Sequence, residues 1–269
     1  MVSLPEREGE PVTLTVDLKW YSGSAIVSRM SEYLVIVDAF RATSIIPTLL
    51  HKGVARIIPV ALVEEALQMK ERNPEYIAVG EDRGKMPPGF AFGNSPSRIF
   101  TNAENMDFSG KTVIHRSSAG TQAISKALNV KKEQNARYTI FTSSFLNAGA
   151  VARFITGING GRDERLSVLC SGYVDKIYAL EDELGAGALI SEIVASGASV
   201  KMSEAAASAY LSFRGVREDD FVQMLRSTKS AAKIIEVGDE PDIEFCSQLN
   251  RFEVVPTVRD GAIVNADLK

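Results

Sequence analysis

Acidic side chains stand where two short apolar segments of this chain end. Asp38 closes the apolar run at residues 34–38, and Arg41 follows it closely. Glu81 comes directly after a second run, at residues 76–80. A carboxylate at the buried end of a strand needs a cation, a metal ion or several hydrogen-bond donors. Asp38 therefore either forms a structural ion pair with Arg41 or binds a metal ion or a substrate, and Glu81 is either a solvated loop acid or part of the same site.

Small hydroxyl-bearing residues follow two other apolar runs. Residues 117–121 come directly after the run at residues 112–116 and enter a predicted helix. Free backbone N–H groups at a helix start, with hydroxyls and a glycine that allows close approach, can hold a phosphate group. Ordinary helix capping by Ser118 is the alternative. Residues 142–144 are a weaker signal of the same kind, and a plain turn is the alternative there.

A third acidic feature is Glu181-Asp182-Glu183, which opens a predicted helix. Acids in a first helical turn stabilise the helix dipole, so one interpretation is purely structural. The other is that they help to bind Mg²⁺, which usually takes one or two carboxylates together with water and substrate phosphate. The only histidines, His51 and His115, are far apart in the sequence and have no metal-ligand spacing. Carboxylates without a histidine or cysteine ligand set favour a hard cation.

The elements that must position these residues alternate between strands and helices from residue 34 to about residue 200, which predicts crossover units and a mainly parallel sheet. Several of the runs are almost entirely apolar, as in strands buried on both faces. The predicted strands are residues 34–38, 55–60, 76–80, 112–116, 138–142 and 166–171, and the predicted helices are residues 43–51, 62–72, 120–128, 148–155 and 181–195. Open parallel sheets bind ligands at the carboxyl ends of their strands, so the features above should meet at one sheet edge.

The rest of the chain completes the predicted fold. Residues 198–202 and 12–17 are strand-like, the latter as an edge strand, and residues 253–258 and 262–265 predict a closing hairpin-like pair. Helical patterns cover residues 205–213, 219–226 and 228–235, whereas residues 85–100, rich in glycine and proline, predict a structured loop. The fold class is therefore α/β, a three-layer α/β/α sandwich with a mainly parallel sheet. It spans residues 1–269 as one compact domain, or as two subdomains divided near residue 110 or 200.

Composition excludes several classes of protein. The chain has 269 residues and a net charge of −4, which argues against a dedicated nucleic-acid binder. Two cysteines cannot form a disulfide framework, and no apolar run is long enough to cross a bilayer. The first residues contain no apolar signal-peptide core. We therefore expect a cytoplasmic protein without a membrane or nucleic-acid partner, and we expect it to form a homo-oligomer, as a homodimer.

Read in order, these segments resemble the 2-phosphosulfolactate phosphatase family, which acts in coenzyme M biosynthesis. The matching pieces are VDAFRAT at 37–43, GE at 80–81, GFAFGNSP at 89–96, SAGT at 118–121, SFLNA at 144–148, CSG at 170–172, ED at 181–182, DIEFC at 242–246 and VVP at 254–256. Three departures stand out. Ala91 replaces an acid, Ser118-Ala119 replaces Thr-Asn, and Asp82-Arg83 follows Glu81 where the family commonly has Arg or Asn next.

The resemblance implies Mg²⁺-dependent hydrolysis of a small phosphate monoester, with 2-phosphosulfolactate as the expected substrate. We expect a metal-bound water as the nucleophile. Asp38 as a covalent nucleophile is the alternative, but Phe40 stands where the common aspartyl-phosphate phosphatases have a second Asp. The predicted catalytic residues are Asp38, Arg41, Glu81 and Asp182, of which Asp38, Glu81 and Asp182 are the predicted metal ligands. The predicted substrate- and phosphate-binding residues are Thr43, Asn94, Ser95, Ser118, Gly120, Thr121, Ser144 and Asn147. Two alternatives stay open: a phosphatase for another three-carbon phospho-acid, and a non-catalytic anion-binding protein.

Overall fold

The computed structural model describes residues 13–23, 31–101, 106–158 and 162–266, which form a sheet flanked by helices. The strands are β1 (Thr13–Trp20), β2 (Tyr33–Val37), β3 (Arg56–Val60), β4 (Ile77–Gly80), β5 (Thr112–Arg116), β6 (Thr139–Ser143), β7 (Glu164–Cys170), β8 (Ser199–Met202), β9 (Pro256–Arg259) and β10 (Ala262–Asn265). The helices are α1 (Ala42–His51), α2 (Val63–Arg72), α3 (Pro96–Thr101), α4 (Gly120–Glu133), α5 (Ala148–Ile158), α6 (Leu180–Ala195), α7 (Glu204–Gly215), α8 (Glu218–Arg226), α9 (Lys229–Glu236) and α10 (Pro241–Cys246).

One sheet contains all of these strands, in the order β4-β5-β3-β10-β9-β6-β2-β7-β1-β8. Strands β4, β5 and β3 form one parallel block, and β6, β2, β7, β1 and β8 form another. The hairpin β9–β10 lies between the blocks and pairs antiparallel with β6 on one side and β3 on the other. The sheet is therefore mainly parallel, as the alternation of strands and helices predicts.

Strand β2 shows why the sheet is covered on both faces. All of its residues are buried, and alternate side chains of a strand point to opposite faces. Val35 and Val37 pack into a core with α5, α6 and α7, whereas Leu34 and Ile36 pack into a second core with α1 and α4. This arrangement confirms the predicted three-layer α/β/α sandwich.

The structure differs from the sequence prediction in three places. The first strand is not at the edge, because β8 pairs alongside it; residue 12 of the predicted strand lies outside the described residues. The loop predicted at residues 85–100 leads into α3, where Pro96 occupies the first helical position and the Ser95 hydroxyl accepts a hydrogen bond from the Arg98 amide. The short helix α10 has no counterpart among the helices that the sequence predicts.

The sequence also makes predictions about membrane spans, a signal peptide and a division into subdomains. No helix in the described part of the chain is long and apolar enough to span a membrane. The N-terminal residues 1–11, in which no signal-peptide core was found, lie outside the described ranges. Strands from before and after residues 110 and 200 belong to the same sheet. A division into subdomains at either position stays a prediction.

Candidate active site

A cavity of about 260 Å³ opens where strands β2, β4, β5 and β7 end. Four acidic side chains line it: Asp38, Glu81, Glu181 and Asp182. Each of these four is at least nine-tenths buried. The carboxyl ends of the parallel strands therefore meet as the sequence predicts, and they gather buried carboxylates.

Asp38 and Asp182 are held by backbone N–H groups on both of their oxygen atoms. Asp38 accepts from the amides of Ala42 at 3.3 Å and Gly120 at 2.7 Å. Asp182 accepts from the amides of Ala39 and Gly172, each at 2.8 Å. These bonds tie the loop after β2 to the starts of α4 and α6, so both carboxylates have fixed positions in the cavity wall.

Glu81 is held still more tightly. Its Oε1 atom accepts from the Ser118 amide at 2.5 Å, and its Oε2 atom accepts from the Gly84 amide at 2.5 Å and the Ser118 hydroxyl at 3.1 Å. Its acceptor capacity is used mainly within the protein. Glu81 therefore fixes the turn after β4 against the loop after β5.

Burial raises the pKa of three of the carboxyl groups, and repulsion between the acids adds to the shift for Asp38 and Asp182. Burial raises the pKa of Asp38 to about 7, the Ala42 and Gly120 amides oppose the shift, and the charges of Glu81 and Glu181 add to it. Burial also raises the pKa of Asp182 well above its ordinary value, helped by the charges of Asp38 and Glu181. The pKa of Glu181 is raised by burial as well. The floor of the cavity is thus a region where a cation would be strongly favoured.

Glu181 is a site residue that sequence reasoning missed. Of the three acids at this helix start, only Asp182 is predicted from the sequence to bind the metal. In the structure Glu181 is 2% exposed, and its Oε2 atom is buried with no hydrogen-bond partner among the described residues. Glu183, in the same turn, points elsewhere and accepts from the Ser208 and Ser212 hydroxyls of α7. Glu181 and Glu183 differ only in the direction in which their side chains leave the helix, and the composition of the segment does not predict that direction.

Arg41 lines the cavity, but its ion pairs differ from those considered from the sequence. The interpretation of a structural Asp38–Arg41 pair is wrong, because Arg41 Nη1 pairs with Asp239 at 2.7 Å and with Asp242 at 2.5 Å. Arg41 and Asp242 are 5% and 0% exposed, so this pair is buried. The arginine is thus anchored to the segment after α9 and to the first turn of α10.

Asp242 also organises the segment GNSPS at residues 93–97. Its Oδ1 atom accepts from the Ser95 hydroxyl at 2.9 Å, the Ser97 amide at 2.9 Å and the Ser97 hydroxyl at 2.5 Å. Ser95, predicted to bind substrate, does not line the cavity and instead holds Asp242. The two serines and Arg41 together give this buried carboxylate its partners.

The start of α4 does not offer the free amides that the sequence predicted. The Ser118 amide donates to Glu81 and the Gly120 amide donates to Asp38. The Thr121 amide donates to the Ser117 hydroxyl, and the Thr121 hydroxyl accepts from the Ser117 amide. The expectation of a free-amide cradle is therefore wrong for these groups, although Ser118 lines the cavity. A phosphate-binding role for these residues stays a prediction.

The other predicted binding residues divide into two groups. Thr43, Ser144 and Asn147 are fully buried away from the cavity, where they bridge strand ends or cap the turn before α5. Asn94 lines the cavity, and its Oδ1 atom lies 3.0 Å from Nε2 of His115. His115 on β5 is fully buried and therefore orients Asn94 rather than reaching the cavity itself.

We predict that His115 makes the free energy of unfolding decrease on acidification. Burial lowers the pKa of His115 to about 3, whereas in the unfolded chain the pKa is near its ordinary value of 6.5. The unfolded state then binds more protons between these values, so stability is lost as the pH falls through this window. The expected loss from His115 is about 2 kcal/mol between pH 7 and pH 5.

Urea unfolding of the native sequence and of the His115→Gln variant across this pH range measures the effect. The glutamine amide can still donate to Asn94 but does not titrate. Asp38, whose pKa is raised, contributes to the pH dependence with the opposite sign, but it does so in both proteins. The difference between the two pH slopes therefore isolates the contribution of His115. Identical slopes would contradict the prediction.

The donor set of the cavity fits a hard cation. Carboxylates dominate it, and a cation would satisfy the unpartnered Oε2 atom of Glu181. Within the described ranges, no three His, Cys, Asp or Glu side chains are arranged as a ready-made metal site, so the predicted set of Asp38, Glu81 and Asp182 is not preassembled. Mg²⁺ usually uses one or two carboxylates and completes its coordination with water and phosphate, which this cavity allows.

Carboxylates, an arginine and hydroxyls lie together at the carboxyl ends of parallel strands, where α/β enzymes commonly have their active sites. Among α/β enzymes, the sequence comparisons place this chain with the phosphoric monoester hydrolases. A family model described as 2-phosphosulpholactate phosphatase matches residues 24–261. The chain belongs to this family.

Individual relatives agree with the family match. A protein of Carboxydothermus hydrogenoformans named "Probable 2-phosphosulfolactate phosphatase" is 32% identical over 253 residues, which cover 93% of this chain and 97% of the relative. Proteins with the same name from Pseudothermotoga lettingae and Thermotoga petrophila are 33% and 31% identical, over 86% of this chain and 92% and 90% of their own lengths. The similarity therefore extends over nearly the whole of each protein.

Proposed function

We propose that this protein hydrolyses 2-phosphosulfolactate to sulfolactate and phosphate, with Mg²⁺ in the cavity. The observation that carries the proposal is the cluster of four buried carboxylates beside Arg41 in one cavity. The family membership and the names of the relatives support the substrate. A cation that offsets the negative charge of the cluster would favour the approach of a phosphate ester.

The residues that would hold Mg²⁺ are Asp38, Asp182 and Glu181, one or two of them acting as ligands. Bound Mg²⁺ supplies Lewis acidity to a phosphoryl oxygen and neutralises part of its charge. Glu81 is less suited, because the Gly84 amide and the Ser118 amide and hydroxyl already occupy its oxygens. We assign Glu81 the task of fixing the loops on either side of the cavity.

The protein itself positions the water and the phosphoryl group. We assign Asp38 Oδ1 as the acceptor for a proton from an attacking water, since the hydrogen bond that it accepts among the described residues is the long one from the Ala42 amide. The Arg41 guanidinium binds the phosphoryl oxygens with Nε and Nη2, because Nη1 is engaged by Asp239 and Asp242. Those two aspartates keep the arginine in place before substrate arrives.

The requirement for Mg²⁺ is the first test. We expect removal of Mg²⁺ to slow phosphate release from 2-phosphosulfolactate by at least about 100-fold, because the cation contributes several kcal/mol of charge stabilisation. Phosphate release is measured after exhaustive dialysis against EDTA and again after Mg²⁺ is restored. A thermal melt in EDTA checks that the fold survives. Full activity in excess EDTA would refute the metal requirement.

Three further expectations belong to this proposal. Action within coenzyme M biosynthesis, a cytoplasmic location and a homodimeric state all follow from the sequence and its family resemblance. Sedimentation of the purified protein tests the dimer, and cell fractionation tests the location.

A further inference from the structure

Part of the cavity lining carries positive charge that the mechanism above does not use. Arg83, Gly84 and Lys233 line this part of the cavity. Arg83 and Gly84 lie in the turn after β4, and Lys233 lies on α9. Two separate elements therefore bring cations to the same opening.

The base of Arg83 is fixed although its side chain is exposed. Its amide donates to the Ser118 hydroxyl at 3.2 Å, and the next amide, that of Gly84, donates to Glu81. Arg83 adopts a left-handed backbone conformation with φ +52°. Among the residues that the structure describes, no carboxylate pairs with its guanidinium, so Arg83 can bind an external anion.

Lys233 lies directly against the same turn. A Cβ atom added to Gly84 would come within 2.8 Å of Lys233 Cε, so the lysine stem packs on the bare glycine. Lys233 Nζ pairs with Glu236 at 2.7 Å, and the glutamate side chain is 64% exposed. An exposed pair of this kind contributes little and can be exchanged for a ligand.

The charge of Arg41, in contrast, is balanced by Asp239 and Asp242. The cavity thus has an acidic floor that needs a cation and a basic rim without buried counter-ions. The proposed substrate has two separate anionic groups to match these two parts of the cavity, a phosphate and a sulfonate on a three-carbon acid. A guanidinium can contact two oxygens of a sulfonate in parallel.

We propose that Arg83 and Lys233 form a second anion subsite that binds the sulfonate of the substrate while the phosphate lies over the carboxylates. This inference rests on the proposed function and assigns residues to its specificity. The subsite selects phospho-acids with a second strong acid group over simple phosphate esters.

The test compares 2-phosphosulfolactate with 2-phospholactate, which lacks the sulfonate. The variants are Arg83→Asn, since asparagine tolerates the left-handed conformation, and Lys233→Met, which keeps the stem over Gly84. We expect each variant to lower the ratio of kcat/KM for the two compounds by about tenfold or more, mainly through KM. Lys85→Met, in the same turn but outside the cavity, is the matched control and should leave the ratio unchanged.

Calorimetric binding of sulfolactate and of lactate separates failure of the subsite from failure of the proposed function. If the native sequence releases phosphate from neither compound, the proposed function fails, and the subsite is decided by whether the two variants lose sulfolactate binding. If the enzyme is active but the variants lower kcat/KM equally for both compounds, or for neither, the subsite is refuted.

Discussion

Asp182→Asn is expected to lower kcat/KM for 2-phosphosulfolactate by about 100-fold or more, because it removes an anionic group from the floor of the cavity. Asparagine also cannot replace the hydrogen bonds. Both carboxylate oxygens accept backbone N–H groups, those of Ala39 and Gly172, and one of these would face the amide N–H₂ group of the variant. We therefore expect an additional loss of about 1–3 kcal/mol in the free energy of unfolding.

Phosphate release and urea unfolding measure the two effects separately. Glu183→Gln is the matched control, because Glu183 lies in the same first turn of α6 but contacts Ser208 and Ser212. It should leave kcat/KM nearly unchanged. Equal and mild effects in both variants would show that the acids only stabilise the helix dipole.

Asp242→Ala is expected to destabilise the protein by about 3–5 kcal/mol, because it breaks a buried ion pair and leaves one charge uncompensated. Of its counter-ions in the described part of the chain, Arg41 would keep Asp239, and the hydroxyls of Ser95 and Ser97 would lose their shared acceptor. The loss is measured as the free energy of unfolding in urea.

Asp239→Ala provides the comparison, because Asp239 is more exposed than Asp242 and its second partner, Arg98, is 61% exposed. Its loss should be clearly smaller. A double-mutant cycle with Arg41→Met should return a large coupling energy for Asp242 and a small one for Asp239. Similar losses from both aspartates would overturn the assignment of Asp242 as the buried anchor.

The fold could be predicted from the sequence because its strands are nearly continuous apolar runs. In β2, five consecutive buried residues require cover on both faces, and the alternation with helices fixes the parallel direction. The position of the hairpin β9–β10 could not be predicted, because strand patterns do not encode which neighbour a strand pairs with.

The site could be predicted from the sequence only for residues that directly follow a strand. Asp38 and Glu81 follow strand ends, and parallel strands bring such ends together. The partners of Arg41 lie 198 and 201 residues away, beyond any local pattern. The sequence also could not predict that the Glu181 side chain points into the cavity. Glu181 and Glu183 lie in the same helical turn and differ only in the direction of their side chains.

The central hairpin has a consequence for how the protein is made. Strands β9 and β10 are the last described strands, yet they join the block of β3 to the block of β6. During synthesis both parallel blocks leave the ribosome before the strands that unite them. Until β9 and β10 are synthesised, β3 and β6 each present an open edge, which neighbouring nascent chains could pair with. The time between synthesis of β6 and of β9 is thus a window in which assembly depends on protection of those edges.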